Sequence, residues 1–597
     1  MKLNDFCEDL KRGRRGLDGI NGVKILQDWK NDPQLNKWFL KIEINSEKSL
    51  IIQNKSIWYI VVDEDYPKGE VKIFPDACSD FTVTLEHQSN NGEIEKNKLW
   101  RKGSLCLESQ LKCLGRYDSH LEPIDVDYRL SWNVKRAVNW INAANNNELI
   151  VTKDSFELPQ FKRGDLEYFV FSEDMASFSE WQMVESNFGI AELDQYKSEP
   201  SVYFVKEFKT NYGNSINVNW GNYLSQSFGK LSTAIWVMLN DVPVINRWQA
   251  PNSFDELIVA CKDQKIHLMN ILKHLVPFIR DGKSHFLLLG FPIPKIVGDQ
   301  NLIIHWQALK LPIISRGKYT ARGFRNDEKG MWRRDKNQIL TPDLKLNWLK
   351  CQNWNINEIN SRGRLIEDIT AMKILVIGVG TIGSAVAELL TRSGVNKIVI
   401  IDSDKLEIGN LSRHPLGLMQ IGKSKSEEMA IYLNQVNPHV KVEYNNDDFE
   451  FSDEHDDEFD EFDLIIDCSG EDIILDELEN FEFKKEKFFV SISIGFAAKR
   501  LYLFLQKDKR FNSDNFREKR SFWLEKEKSE FSEYDLPRDG TGCWSPVFPA
   551  RYDDILIASS TALKVIEDFI KKNVNELISI YEQSSIDGIF VGYIKLE

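Results

Sequence analysis

One stretch, KILVIGVGTIGSAVAELLTRSGVNKIVIIDSD at residues 373–404, constrains the fold of this chain most. An apolar run leads into Gly378, Gly380 and Gly383, and a helical pattern and a second apolar run then end at Asp402. This order is typical of a βαβ unit. Glycines let the backbone approach a phosphate, the helix N-terminus attracts the anion, and the acid hydrogen-bonds ribose. The stretch therefore predicts a nucleotide site, which by itself fits NAD or FAD.

The length and charge of the chain limit its class. A chain of 597 residues is too long for one hydrophobic core, so we expect three or four domains. The net charge of -15 argues against direct nucleic-acid binding, which relies on an excess of Lys and Arg. The eight cysteines lack framework spacing, and no 18-residue apolar run or signal peptide is present. We expect a cytoplasmic protein that does not interact with membranes.

The patterning predicts a multidomain chain of α+β and α/β class. Residues 1–150 alternate apolar runs with polar turns and close on a helical pattern that begins at Trp132, which predicts an antiparallel meander flanked by helices. Residues 151–355 mix strands and helices without a chemical motif, and we interpret them as a linker domain. Residues 356–597 contain the βαβ pattern.

Residues downstream of the βαβ unit favour ATP over a redox cofactor. Asn410, Arg413 and Lys425 follow the second strand, and FDLIIDCSG ends a later strand on Asp467. A triphosphate needs cations and a carboxylate-held Mg²⁺ during attack at phosphorus, whereas hydride transfer needs neither.

The ordered motifs DSD, NLSRH, GKSK and LIIDCSG resemble those of the ThiF-type adenylating enzymes, which include the activating enzymes of ubiquitin and of sulfur carriers. The resemblance implies a Rossmann-like fold. It also implies that Asp402 binds ribose, that Asn410, Arg413 and Lys425 hold the phosphates, and that Asp467 coordinates Mg²⁺.

The chain departs from the family pattern at several points. His414 stands where the family has Gln, and Thr381 replaces the second glycine of the turn, which requires a negative φ. The zinc-binding CxxC pairs are missing, so we expect no zinc. Arg362 and Arg364 are candidates for the arginine that such enzymes supply from upstream.

Cys543 lies in the glycine-flanked segment RDGTGCWSP, just before a helical pattern. A cysteine in such a loop is accessible, and its thiolate can attack an acyl-adenylate. The ubiquitin-activating branch of the family has its catalytic cysteine in a similar place, which implies that Cys543 forms a thioester. The alternative is a structural cysteine in a turn.

Cys106, in GSLCLES, has two interpretations, because a free cysteine often packs as a small hydrophobic residue. The order of the Tyr-Pro turn, the strand ending in Phe-Pro and the site GSLCL resembles the ubiquitin-conjugating fold. That resemblance implies that Cys106 is a thioester cysteine. The usual His-Pro-Asn is missing, and Asn97 and His120 are candidates for the donor that stabilises the oxyanion.

An activating and a conjugating half in one chain resemble the fused ubiquitin-transfer-like enzymes of bacterial CBASS antiphage operons. The resemblance implies ATP-dependent ligation in which the acyl donor is the C-terminus of the operon's cyclic-oligonucleotide synthase and the acceptor is an amine. It also implies a homodimer that forms through the adenylating half. Two alternatives stay open, a nucleotide-dependent oxidoreductase and a catalytically inactive scaffold that binds ATP.

Overall fold

The computed structural model describes most of the chain. The ranges are 3–33, 35–94, 97–107, 122–196, 198–226, 228–229, 231–315, 322–450, 459–532 and 548–596. The predicted thioester residue Cys543 and the oxyanion candidate His120 lie outside these residues. The chain divides into two compact units, one of Met1–Asn217 with Gly229–Asn353 and one of Val218–Phe228 with Trp354–Glu597.

The N-terminal part of the first unit is a four-stranded antiparallel meander with the strand order β1-β2-β3-β4, which confirms the predicted meander. Its elements are α1 (Leu3–Arg15), β1 (Val23–Asp32), β2 (Lys37–Asn45), β3 (Lys55–Asp63), β4 (Val71–Pro75) and α2 (Arg129–Asn146). Val134, Ala137 and Ile141 recur at helical spacing on α2 and share one hydrophobic core with the buried sheet residues Ile42 and Trp58.

The rest of the first unit is built on a second, mixed sheet. The elements of this stretch are β5 (Arg163–Phe171), α3 (Met175–Gln182), β6 (Phe188–Tyr196), β7 (Val202–Thr210), β8 (Ser215–Asn217), α4 (Asn222–Ser225), β9 (Ser232–Met238), α5 (Phe254–Asp263), α6 (Leu268–Leu275), β10 (Phe286–Pro294), β11 (Leu302–Lys310), α7 (Glu328–Arg334) and β12 (Asn347–Asn353). Of these, α4 is part of the second unit. The strand order is β5-β12-β11-β10-β9-β6-β7-β8, and an extra pairing of β5 with β7 closes seven of these strands into a ring. Closure removes most of the exposed strand edges.

The second unit is organised around a third sheet. Its remaining elements are α8 (Ile356–Ile359), α9 (Glu367–Thr370), β13 (Ile374–Ile377), α10 (Thr381–Arg392), β14 (Lys397–Ile401), α11 (Lys425–Val436), β15 (Lys441–Asn445), β16 (Leu464–Asp467), α12 (Asp472–Asn480), β17 (Glu482–Ile494), β18 (Arg500–Arg510), α13 (Asp514–Glu530), α14 (Tyr552–Lys572), β19 (Glu576–Ile586) and β20 (Ile589–Lys595). The order is β15-β14-β13-β16-β17-β18-β19-β20, parallel from β15 to β17 and antiparallel beyond.

The position of β13 explains where this sheet can bind a ligand. Strand β14 follows β13 on one side, and β16 lies against its other side. The chain order therefore reverses at β13, and the carboxyl ends of β13, β14 and β16 open around this reversal. Open α/β sheets bind ligands at such a switch point.

One short segment joins the second unit although its neighbours in the chain belong to the first. Residues 218–228, inside the predicted linker region, pack with the second unit. The amide of Gly221 donates to the carbonyl of Pro438 over 2.7 Å, and the ring of Trp220 stacks on His439 at 5.4 Å. Among the described residues, no helix is both long and apolar enough to span a bilayer.

Asn145 should determine the stability of the N-terminal sheet. Its buried amide accepts from the backbone N–H groups of Ile51 and Ile52 and donates to the carbonyl of Lys48. We expect Asn145→Ala to destabilise this region by about 2–3 kcal/mol, because buried backbone groups lose their partners. The neighbouring exposed Asn146 provides the control, since its amide contacts only an exposed glutamate. Hydrogen exchange at residues 51 and 52 checks this, and equal protection in Asn145→Ala and Asn146→Ala contradicts it.

Candidate functional site

A cavity of about 870 Å³ lies at the switch point of the third sheet. Its wall includes Gly378 and Gly380 from the turn after β13, Asp402 after β14, and Ser469 and Gly470 after β16. These positions lie at the carboxyl ends of three adjacent parallel strands. The fold therefore brings the predicted glycine-rich turn and Asp402, the predicted ribose ligand, to the wall of one cavity.

The glycine-rich turn requires glycine at Gly378. This residue has a φ of +77°, and a Cβ built on it would lie 2.9 Å from the Cα of Ser469. Thr381, the substitute for the second family glycine, is the first residue of α10 and has a helical φ that suits a side chain. Gly383 does not line the cavity; a Cβ there would lie 1.8 Å from the carbonyl oxygen of Gly378. Gly383 therefore lets α10 begin close against the turn.

The peptide groups of Val379, inside this turn, are held on both sides. The backbone N–H of Val379 donates to Oδ2 of Asp402 over 2.7 Å. The carbonyl of Val379 lies 2.9 Å from Nε2 of His414. Nδ1 of His414 accepts from the amide of Leu416 at 3.2 Å, so the proton is on Nε2 and is donated to Val379. Burial lowers the pKa of His414 to about 4, which keeps the ring neutral.

Asp402 is thereby fixed before any nucleotide binds. Its second oxygen, Oδ1, accepts from the backbone N–H of Asp404 over 2.9 Å. Burial raises the pKa of this carboxyl, and the hydrogen bonds to Asp404 and Val379 and the charge of Lys425 oppose the rise. The described geometry thus presents a carboxylate beside the turn, where a ribose hydroxyl can donate to it.

The residues predicted to hold phosphates make other contacts and are not part of the described cavity wall. The Nζ of Lys425 lies 2.7 Å from Oδ2 of Asp404, and its side chain is 9% exposed. Arg413 donates to the backbone carbonyl of Phe548 at 2.9 Å. The amide oxygen of Asn410 accepts from the backbone N–H of Glu407.

Asp467, predicted as the Mg²⁺ ligand, is buried behind the wall rather than on it. Its Oδ1 accepts from the amide and hydroxyl of Ser469, and its Oδ2 accepts from the hydroxyl of Ser491. Burial raises the pKa of Asp467, while these hydrogen bonds and the charge of Arg520 oppose the rise. These contacts anchor the turn after β16, and the carboxylates that face the cavity, such as Glu471, fit Mg²⁺ better.

The described residues contain no cluster of three or more acidic, His or Cys side chains arranged to hold a metal. Mg²⁺ does not need such a cluster, because it is usually bound through one or two carboxylates together with substrate phosphates. The wall supplies those carboxylates.

Among the described residues, one arginine lines this cavity, and the sequence analysis missed it. It is Arg520, on α13. The upstream candidates lie elsewhere, since Arg362 ends a short turn and Arg364 donates to Asn357. Arg520 belongs to the highly charged helix NFREKRSFWLEKEK, whose pattern is that of a solvated surface, so no sequence signal separates it from its neighbours.

The second predicted site is at Cys106. The thiol is exposed, whereas the flanking Leu105 and Leu107 are buried in the core of the N-terminal sheet. The amide of Cys106 donates to the carbonyl of His87 over 2.8 Å, which fixes the backbone. Alternation thus directs the leucines inward and the cysteine outward, and the packing interpretation of Cys106 is excluded.

His87, whose carbonyl accepts from the amide of Cys106, also contacts a carboxylate through its ring. Nδ1 of His87 lies 2.6 Å from Oε2 of Glu157, and this contact raises the pKa of His87. Asn97, a candidate oxyanion donor, lies in a turn with a φ of +64°.

Comparison with known proteins gives two family matches. Residues 147–354 match the family described as the Cap2 central linker domain, and residues 352–474 match the ThiF family. A protein of Drosophila ananassae, "Ubiquitin-like modifier-activating enzyme 5", is 37% identical over 122 residues, which cover 19% of this chain and 30% of that protein. A solved structure of E. coli MccB with AMPCPP and MccA aligns with 40% of this chain and 65% of its own, at 15% identity and a TM-score of 0.28.

One relative matches along most of its length. "ATP-dependent ubiquitin transferase-like protein Cap2" of Enterobacter hormaechei subsp. hoffmannii (strain UCI 50) is 30% identical over 543 residues, which are 89% of each chain. Together with the ThiF match, this indicates an enzyme of ATP-dependent ubiquitin-like activation and transfer. This chain therefore belongs to the Cap2 family of ATP-dependent ubiquitin transferase-like proteins.

Proposed function

We propose that this enzyme adenylates a protein C-terminus and transfers it through two cysteines to an amine. A donor carboxylate attacks the α-phosphorus of ATP in the switch-point cavity, which forms an acyl-adenylate and releases pyrophosphate. The Cys543 thiolate displaces AMP, and the Cys106 thiolate then displaces Cys543. An amine finally attacks the Cys106 thioester, loses a proton and releases the thiolate, which yields an amide bond.

The donor that we propose is the C-terminus of the cyclic-oligonucleotide synthase of a CBASS operon. This choice rests on the family, and the target amine stays open. We also propose that the chain acts as a homodimer through its adenylating half. The exposed Leu418 and Met419, 74% and 83% exposed, support this, because apolar side chains at a surface favour contact with another protein.

The residues on the cavity support the first step. Asp402 takes a ribose hydroxyl, and the glycine-rich turn with the N-terminus of α10 takes the phosphates. Mg²⁺ would be held by Glu471 of the wall together with the phosphates, where it would neutralise developing charge. Asp467, assigned to Mg²⁺ by resemblance, we now assign to the positioning of the Ser469 turn.

One observation carries the proposal for the last steps, namely the exposed thiol of Cys106 on a backbone fixed by buried neighbours. Cys106 lies between Leu105, 6% exposed, and Leu107, 8% exposed. A cysteine that served only packing would point inward with them. An exposed thiol can accept an acyl group from a second thioester.

The relay is tested with ATP, Mg²⁺ and the purified synthase on non-reducing gels. We expect thiol-sensitive adducts in the wild type, none in Cys543→Ala, and in Cys106→Ala only the adduct on Cys543. Cys106→Ser should trap an ester that resists thiols but not hydroxide. Cys78 is the matched control, because it is also a free, exposed cysteine of the N-terminal sheet region, and Cys78→Ala should behave as the wild type.

Two results contradict the relay. Adducts that persist in the double variant Cys543→Ala, Cys106→Ala would show that other groups carry the acyl chain. The absence of any adduct in a wild type that binds ATP would instead favour the inactive scaffold. Binding of NAD or FAD in place of ATP would favour the oxidoreductase.

His414 should act as a positioning residue for the nucleotide. His414→Ala leaves the buried Val379 carbonyl without a donor, so we expect the KM for ATP to rise by about five- to fiftyfold. His414→Gln restores an amide donor and should stay within about threefold of the wild type. Steady-state adenylation measures both, and an unchanged KM in His414→Ala contradicts the role.

The lowered pKa of His414 should also make the stability of the protein depend on pH. Its folded pKa is about 4, below the ordinary value of 6.5. The unfolded state therefore binds more protons between these values, and the stability contributed by neutral His414 should be lost as the pH falls from 6.5 to 4. Urea unfolding of the wild type should show this loss, whereas His414→Gln should lack that component. Parallel pH profiles for the two proteins would contradict it.

A further inference from the structure

The switch-point cavity has an unusual balance of charge for a site that takes a triphosphate. Its described wall carries five aspartates and three glutamates, and Arg520 is the one Lys or Arg among the described lining residues. A polyphosphate is repelled by such a wall unless cations intervene. Lys425 is engaged by Asp404, and Arg413 donates to a backbone carbonyl. The cation that faces the cavity is therefore not one that the family motif supplies.

The guanidinium of Arg520 is held by an ion pair, but not all of its N–H groups donate hydrogen bonds to described residues. Nη2 donates to Oδ1 of Asp472, and the side chain is 12% exposed. Nε is buried and, among the described residues, has no hydrogen-bond partner. The guanidinium carbon lies 5.2 Å from the ring centroid of Phe516, which supports the planar group from one side. An arginine held in this way retains donors for an incoming oxyanion.

The position of Arg520 relative to the glycine-rich turn indicates which part of a nucleotide it can contact. Arg520 pairs with Asp472, which begins α12 shortly after β16, and Ser469 in the turn between β16 and α12 lies against Gly378. Asp402, the ribose acid, lies after β14 on the opposite side of β13. Arg520 is thus on the side of the glycine-rich turn that lies away from Asp402, where we expect the phosphates of a nucleotide whose ribose is held by Asp402.

We infer that Arg520 binds the β- and γ-phosphate oxygens of ATP and exchanges its contact with Asp472 for them. Asp472 is 58% exposed on its side-chain surface, so water can solvate its carboxylate when the contact with Arg520 opens. A planar guanidinium suits phosphate oxygens because two of its N–H groups can donate in parallel. The inference deepens the proposed adenylation and rests on ATP as its substrate.

The test measures binding of ATP and of AMP to the full chain by calorimetry, without a donor protein. We expect Arg520→Gln to weaken ATP binding by about tenfold or more and to leave AMP within about twofold, because AMP lacks the β- and γ-phosphates. Arg520→Lys should lie between, since it keeps the charge but loses the fork. Asp472→Asn should bind ATP as tightly as the wild type or more tightly.

Arg517 is the matched control. It lies one turn earlier on α13, its Nη2 pairs with Asp476 of α12 as that of Arg520 pairs with Asp472, and it is not on the described cavity wall. Arg517→Gln should bind both nucleotides as the wild type does.

Three results overturn the inference. Unchanged ATP affinity in Arg520→Gln shows that the guanidinium does not bind phosphate. Equal losses for ATP and AMP, or a loss in Asp472→Asn as large as that in Arg520→Gln, show that the ion pair serves the fold. Failure of the proposed function can be distinguished from failure of this inference. A wild type that binds ATP but forms no adduct with the synthase would contradict the relay and leave the role of Arg520 in place.

Discussion

The nucleotide site depends on the two peptide groups that flank one residue, Val379. Asp402 holds the N–H and His414 holds the carbonyl, so the glycine-rich turn is fixed from opposite sides by a carboxylate and a neutral imidazole. The contact with His414 is buried, and a buried backbone group left unpaired costs about 1–3 kcal/mol. The same hydrogen bond that shapes the turn also orients the carboxylate of Asp402, which we propose as the ribose ligand. The proposed phosphate and ribose sites are therefore organised together, before nucleotide binds.

The motif residues predicted by resemblance to hold the phosphates and Mg²⁺ do not line the described cavity. Lys425 is paired with Asp404, and Asp467 is enclosed by two serines. Arg520 reaches the cavity from a helix outside the motif. In the described structure, the motif cations Lys425 and Arg413 thus contact other protein groups, and the arginine on the cavity wall comes from another helix. Hydrogen bonds fix the backbone of the glycine-rich turn at the cavity, whereas they do not place all the charged motif residues there.

The sequence predicted what is encoded locally. Apolar runs around three glycines and a terminal acid were enough to place Gly378, Gly380 and Asp402, because the βαβ unit is continuous in the chain. Alternation likewise predicted the N-terminal meander.

Features that depend on distant pairings were not predicted. The contact of β5 with β7 that closes the middle sheet and the packing of residues 218–228 on the second unit join segments that carry no shared pattern. Arg520 was missed for the same reason: the charged pattern of α13 does not reveal which of its faces meets the cavity.

The proposed relay moves an acyl group from Cys543 to Cys106. Mass mapping of a single turnover follows this transfer, with wild-type enzyme, ATP, Mg²⁺ and the synthase mixed, quenched at intervals and digested without reductant. We expect the donor C-terminus first on the peptide of Cys543 and then, as that signal declines, on the peptide of Cys106. Modification of Cys106 before Cys543, or without ATP, would contradict it.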